Sequence, residues 1–105
     1  MDLTHVYVIG APGHRLVKIG KADDVRERLA ALQIGSPYPL EILLMARVDR
    51  RMEHALHARF RPHRRHGEWF DFGVLDPVAE VAYAIGQLAD RLDCPSSPQG
   101  LGANR

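Results

Sequence analysis

With 105 residues, 46% hydrophobic and 26% charged, the chain falls within ordinary globular usage and is long enough for one domain with a modest core. Its apolar runs fall far short of the roughly 18 residues of a membrane span, and its single cysteine, Cys94, excludes an internal disulfide or a cysteine-built zinc site. The net charge of +1 conceals a split, twelve Lys/Arg against seven Asp/Glu in residues 1–66 and two against six in residues 67–105, which leaves a polyanion partner open.

Thr4 to Gly10 and Leu16 to Gly20 read as strands on either side of "APGH", whose Pro-Gly is strong turn chemistry, and predict an antiparallel hairpin. "DDVRERLAALQ" follows with an Asp start and Val25, Leu29 and Leu32 on one helical face, stopping at Gly35-Ser36-Pro37. "LEILLMARV" is a near-continuous apolar run, expected to be a buried central strand. "DRRMEHALHARF" places Met52, Leu56 and Phe60 four residues apart on a second helix closed off by Pro62. Arg59 falls near that apolar stripe and must snorkel or lie past the helix end. Seven arginines crowd between Arg47 and Arg65; their planar forks suit phosphate, although a solvated, ion-paired face has the same composition.

"GEWFDF" reads as a short aromatic strand, and "DPVAEVAYAIGQLADRL" as a third helix with an Asp cap and Pro77 in its first turn. Its Val78, Val81, Ala82, Ile85, Leu88 and Leu92 form one stripe. The Pro/Ser/Gly-rich residues 93–105 are expected to be an unstructured tail beyond a domain spanning residues 1–92. Met1-Asp2-Leu3 lacks the basic, then apolar, opening of a signal peptide, so a cytoplasmic protein with no membrane partner is expected. The β-β-α-β-α order predicts an α/β fold, a small mixed three-stranded sheet flanked by helices, with a C-terminal helix.

The hairpin invites a chemical reading. If Gly10 pairs with Arg15 across a four-residue turn, Tyr7 lies opposite Lys18, their Cβ atoms roughly 5 Å apart on one face. Val6, Val8, Val17 and Ile19 then hold the other, uniformly aliphatic face, the natural core side. An ammonium beside a phenol favours phenolate, so Tyr7 is expected to have a lowered proton affinity and to accept a proton from water.

The order "HVY" (His5 to Tyr7), "KIG" (Lys18 to Gly20), "RL" (Arg28-Leu29), Glu53 in "EHALHARF" and "HGEWF" (His66 to Phe70) resembles the GIY-YIG nuclease superfamily, in particular its short phage and bacterial branch. The glycine of that superfamily's first motif is His5 here, the tyrosine of its second is Lys18, and its late asparagine has no counterpart. The resemblance implies a metal-dependent DNA endonuclease using Mg²⁺ or Mn²⁺. It implies catalytic roles for Tyr7, Lys18, Arg28 and Glu53, with Glu53 as the metal ligand.

Helical geometry agrees in part. Arg28 borders the Val25/Leu29/Leu32 stripe, so its stem is anchored by packing while the guanidinium reaches outward, as a phosphate clamp requires. Glu53 flanks the Met52/Leu56/Phe60 stripe one turn before His57, where it can ligate a hard cation with His57 supporting it, or simply pair with His57 on the surface. Arg15, Lys21, Arg61, Arg64 and Arg65 are candidates for holding the nucleic-acid strand. His54, His57, His63 and His66 have spacings that could suit zinc, but Pro62 interrupts them. Trp69, Phe70 and Phe72 could stack on unpaired bases but are expected in the core. No small-molecule cofactor is expected. The alternatives are a nucleic-acid-binding module that does not cut, and an Arg-rich adaptor for an acidic protein.

Overall fold

Alternation along β1 (Leu3–Gly10) and β2 (Leu16–Ala22) sends their side chains to two faces of the sheet, and both faces are covered. In the computed structural model, which describes residues 2–93, Val6, Val8, Val17 and Ile19 enter the main core as expected, while Tyr7 and Ile9 enter a second, smaller one. The sheet has five strands in the order β3-β1-β2-β5-β4, every neighbouring pair antiparallel, and so is neither three-stranded nor mixed.

The hairpin register differs from the expected one by two residues: Gly10 pairs with Val17, Tyr7 with Gly20 and Ile9 with Lys18. The loop absorbs Arg15. His14 N–H closes a turn on the Ala11 carbonyl at 3.0 Å with Gly13 at φ 86°, and Arg15 Nε reaches away to Asp71 at 3.3 Å. A slip of two conserves facing, so Tyr7 and Lys18 still share a side of the sheet, displaced by one pair rather than opposite.

Helix α1 (Val25–Ile34) starts at Asp24, whose carboxylate accepts the Glu27 N–H at 3.0 Å, and ends at Gly35. Its Val25, Leu29 and Leu32 cover Tyr7 and Ile9. Strand β3 (Glu41–Asp49) pairs only with β1 and is an edge, not a central, strand. Helix α2 (Met52–Arg59) buries Met52 and Leu56, with Phe60 just beyond it, against the opposite face; Arg59 stays exposed and donates to Gln87. A 3₁₀ turn at Arg61–His63 carries Pro62 and leads into a hairpin of two three-residue strands, β4 (Arg64–His66) and β5 (Trp69–Asp71), turning at Gly67 with φ 57°.

Phe70 and Phe72 are core residues as expected, whereas Trp69 is only half-buried and faces the α1 side with Lys18. Helix α3 (Pro77–Asp93) covers the main core with Val81, Ala84 and Leu88; Ala82, assigned to the buried stripe, faces solvent, and Ala84 lies in the core. Cys94 and the expected tail from residue 94 onward lie outside the described residues. Among the described residues no helix is long and apolar enough to cross a membrane.

Candidate active site

Strand β5 is shorter than β2, and the mismatch creates the site. Their ladder stops at Lys18 and Trp69, so β2 continues to Ala22 with an open edge on that side. A last backbone bond runs from Ile19 N–H to the Glu68 carbonyl at 3.1 Å. The Ile19 carbonyl then accepts from His57 Nε2 at 2.7 Å. Because a carbonyl can only accept, this bond places the proton of neutral His57 on Nε2 and leaves Nδ1 with its lone pair.

Around that edge Glu53 and His57 from α2 and Glu68 from the β4–β5 turn bring one ligand atom each within 4.8 Å of one another, all three side chains half-buried. They line a cavity of about 410 Å³ together with Arg61 and Arg64. Each carboxylate has a lysine counter-charge: Lys18 Nζ lies 3.1 Å from Glu68 Oε1, and Lys21 Nζ 3.8 Å from Glu53 Oε1.

Tyr7 approaches from the other face of the sheet, and Gly20 makes that approach feasible. A Cβ at position 20 would stand 2.6 Å from Tyr7 Cζ, closer than carbon atoms tolerate. The hydroxyl has no hydrogen-bond partner among the described residues, and the side chain is buried, with 1% of the residue exposed. Burial pushes the phenol's pKa up to about 12, with Arg28 opposing the rise and the carboxylates of Glu68 and Glu53 adding to it. The expected lowering by Lys18 is therefore reversed. Desolvation outweighs the cations, and Lys18 is instead engaged by Glu68 and by the ring of Trp69, 5.6 Å from its centroid.

The fold thus gathers Tyr7, Arg28 and Glu53 into one electrostatic neighbourhood, with Lys18 and Lys21 attached through the carboxylates. Arg61 and Arg64 share the cavity, Arg64 Nε donating to the Gly67 carbonyl at 2.7 Å. Arg15 and Arg65 do not join it; both turn to Asp71, at 3.3 and 3.6 Å. The four clustered histidines do not converge either. Only His57 joins the ligand group, while His63 stacks on Phe72 with centroids 4.9 Å apart. Sequence reasoning misses the roles of Glu68 and Gly20. Glu68 is open to notice as the sole acidic residue between His54 and Phe70, a lone carboxylate in an arginine-rich stretch.

A small antiparallel α/β domain that sets two carboxylates and an imidazole at an open strand edge, beneath a basic rim, has the means to hold a divalent cation beside an anionic substrate. Residues 4–88 match the T5orf172 domain model, and the chain belongs to that nuclease-associated family. This match corrects the assignment drawn from the motif order, since the family model that fits is that of T5orf172 and not a GIY-YIG model. No curated protein and no solved structure matches the chain.

Proposed function

We propose that the chain is a divalent-metal-dependent endonuclease that hydrolyses DNA phosphodiesters at the Glu53–His57–Glu68 cavity. The observation that carries this reading is the convergence of those three donors in a cavity that Arg61 and Arg64 also line, with the Tyr7 phenol in electrostatic reach of Glu53, Glu68 and Arg28. Glu53, Glu68 and a ring nitrogen of His57 form a mixed oxygen and nitrogen donor set, which suits Mn²⁺ and accepts Mg²⁺ with added water. His57's bond to the Ile19 carbonyl is the kind of outer contact that orients a ligating imidazole. A cation bound there supplies Lewis-acid polarisation of the phosphoryl group.

The chain's own groups supply the rest. Tyr7 keeps its proton at neutral pH, so its hydroxyl orients the attacking water by accepting one hydrogen bond and donating another toward the phosphate. This replaces the general-base role that a lowered pKa implied. Glu68, more exposed than Glu53 (41% against 16% of the side chain), is the acceptor for the water's proton; as the new P–O bond forms, the opposite P–O bond breaks and the departing strand oxygen takes a proton from solvent. Arg28 meets the charge that builds on the phosphorus oxygens, and Arg61 and Arg64 hold the flanking strand.

Plasmid nicking with Mn²⁺, Mg²⁺ or EDTA tests this. Wild type should nick with either ion and not in EDTA, and Tyr7→Phe and Glu53→Ala should each lose at least about 100-fold in rate. Parental rates in both variants would refute the assigned roles. One observation favours a second reading, a module that binds DNA without cutting: both carboxylates already carry lysine counter-charges. Salt-sensitive DNA binding that survives Glu53→Ala, with no nicking by wild type under either ion, decides for it.

A further inference from the structure

An irregularity in the pairing between Arg64 and His66 lets the β4–β5 hairpin line two different cavities. Arg64, Gly67 and Glu68 line the ligand cavity, whereas Arg65, His66 and Trp69 line another, of about 580 Å³. This second space lies against the end of α1 and the β1–β2 loop. It falls within the range of roughly 300–1,000 Å³ usual for small-ligand sites. Its walls are mainly apolar and aromatic. Leu16 and Tyr38 are exposed large side chains, 44% and 51%, and the Tyr38 ring lies against His14 with centroids 4.1 Å apart.

Two features say what fits there. The first is a polar rim of His14, His66 and Arg65, the last already paired with Asp71 at 3.6 Å, around aromatic walls, which suits a group that is flat and apolar in the middle and carried on a polar strand. The second is continuity with the candidate active site. Trp69 pairs in register with Lys18, Lys18 lies on the Trp69 ring, and the same Lys18 is bonded to Glu68 of the ligand group. Lys18 thus joins the wall of the second cavity to the ligand group through one side chain.

We propose that this cavity takes one unpaired nucleobase of single-stranded DNA, stacked on Trp69 and Tyr38. A base within a duplex has both faces covered by its neighbours and cannot use these walls, so the cavity selects single-stranded or frayed DNA. The inference rests on the nucleic-acid reading above for the phosphate and adds the form of the strand.

Trp69 is the chain's only tryptophan, so its emission reports on the cavity directly. The full chain, in EDTA, is titrated with oligo-dT, an abasic oligonucleotide of equal length, a duplex and oligo-rU. Oligo-dT should quench Trp69 and bind about tenfold more tightly than the abasic strand, a factor within what one stacked base contributes. Tyr38→Ala, which alters an exposed wall outside the ligand cavity, should remove most of that preference while leaving binding of the abasic strand unchanged. Equal binding of oligo-dT, abasic strand and duplex without quenching overturns the proposal, as does quenching by oligo-rU alone. Because the readout needs no cleavage, quenching by oligo-dT in a protein that never nicks would sink the nuclease reading and leave this one standing.

Discussion

Gly20 and Tyr7 behave as one structural decision. Gly20 is not at a positive φ, so what its lack of a side chain provides is room for the Tyr7 ring across the strand. Gly20→Ala should force that ring aside, costing roughly 1–3 kcal/mol of stability by overpacking and about 100-fold in nicking through misplacement of the hydroxyl. Gly86, on an open face of α3 with nothing within 4 Å of where a methyl would stand, is the contrast: Gly86→Ala should stabilise by about 0.5–1 kcal/mol. Thermal unfolding of the two variants gives both signs in one experiment, and a stabilised Gly20→Ala with full activity would contradict the steric account. Tyr7 adds a titration in metal-free protein. Its pKa of about 12, above the ordinary 10, means that the folded state binds the proton more tightly. The associated stability is complete below pH 10 and is lost as pH rises toward 12, and phenolate absorbance should show a late step that Tyr7→Phe removes. These two residues also show the limits of reading by register. The shared side of Tyr7 and Lys18 was legible from alternation, but the opposite sign of the pKa shift depends on how completely α1 covers the ring.

Strand β3 shows how an element can be identified correctly and placed wrongly. A near-continuous apolar run predicts a strand buried on both faces, but β3 is only partly covered: Ile42 packs with the α1 cluster and Leu44, Ala46 and Val48 against the main core, none of its residues is fully buried, and Met45 is 46% exposed. That pattern carries no information about how many strands flank it, which is why an edge strand reads as a central one. Strand β4 has no apolar pattern at all, its Arg64-Arg65-His66 being exposed, so the hairpin that delivers Glu68 to the site could not be seen. The two longer helices, α1 and α3, with their Asp starts, were legible because capping and 3.6-residue periodicity are local. The end of β3 also anchors its neighbours. Asp49 accepts from the Arg51 backbone N–H at 2.8 Å and from its guanidinium at 2.9 Å, and the guanidinium donates onward to the Leu92 carbonyl near the end of α3, also at 2.9 Å. The Arg51 side chain first, then its backbone N–H, holds the Asp49 carboxyl down to about 2. A lowered pKa contributes stability above the ordinary value of 3.8 that is lost as pH falls toward 2. Denaturant midpoints should therefore drop further for wild type than for Asp49→Asn between about pH 4 and pH 2, and parallel curves would show that the clamp adds nothing.

Across the whole molecule, half of the twelve basic residues that composition places in residues 1–66 are ion-paired on folding, among the described residues. Arg50 is engaged by Asp2 and Asp23, Arg51 by Asp49, and Arg15 and Arg65 by Asp71. Arg26, Arg28, Arg47, Arg59, Arg61 and Arg64 have no ion pair among the described residues, and of these Arg28, Arg61 and Arg64 are the ones that adjoin the candidate site. Density along the chain thus overstates the anion-binding surface, because pairing is decided by acids distant in sequence. Counterion release turns this into a number. Each phosphate neutralised on duplex DNA contributes about −0.9 to the slope of log affinity against log salt. Engagement of the three unpaired arginines at the site predicts a slope of about −3 in EDTA, whereas engagement of all seven arginines between Arg47 and Arg65 would give about −6. Arg61→Ala should shallow the slope by about one, and Arg50→Ala, which removes a cation already held by two aspartates, should leave it unchanged. A steep slope that responds equally to both substitutions would mean that the internal ion pairs open on binding, and that the folded molecule's partition between paired and free arginines does not govern where DNA sits.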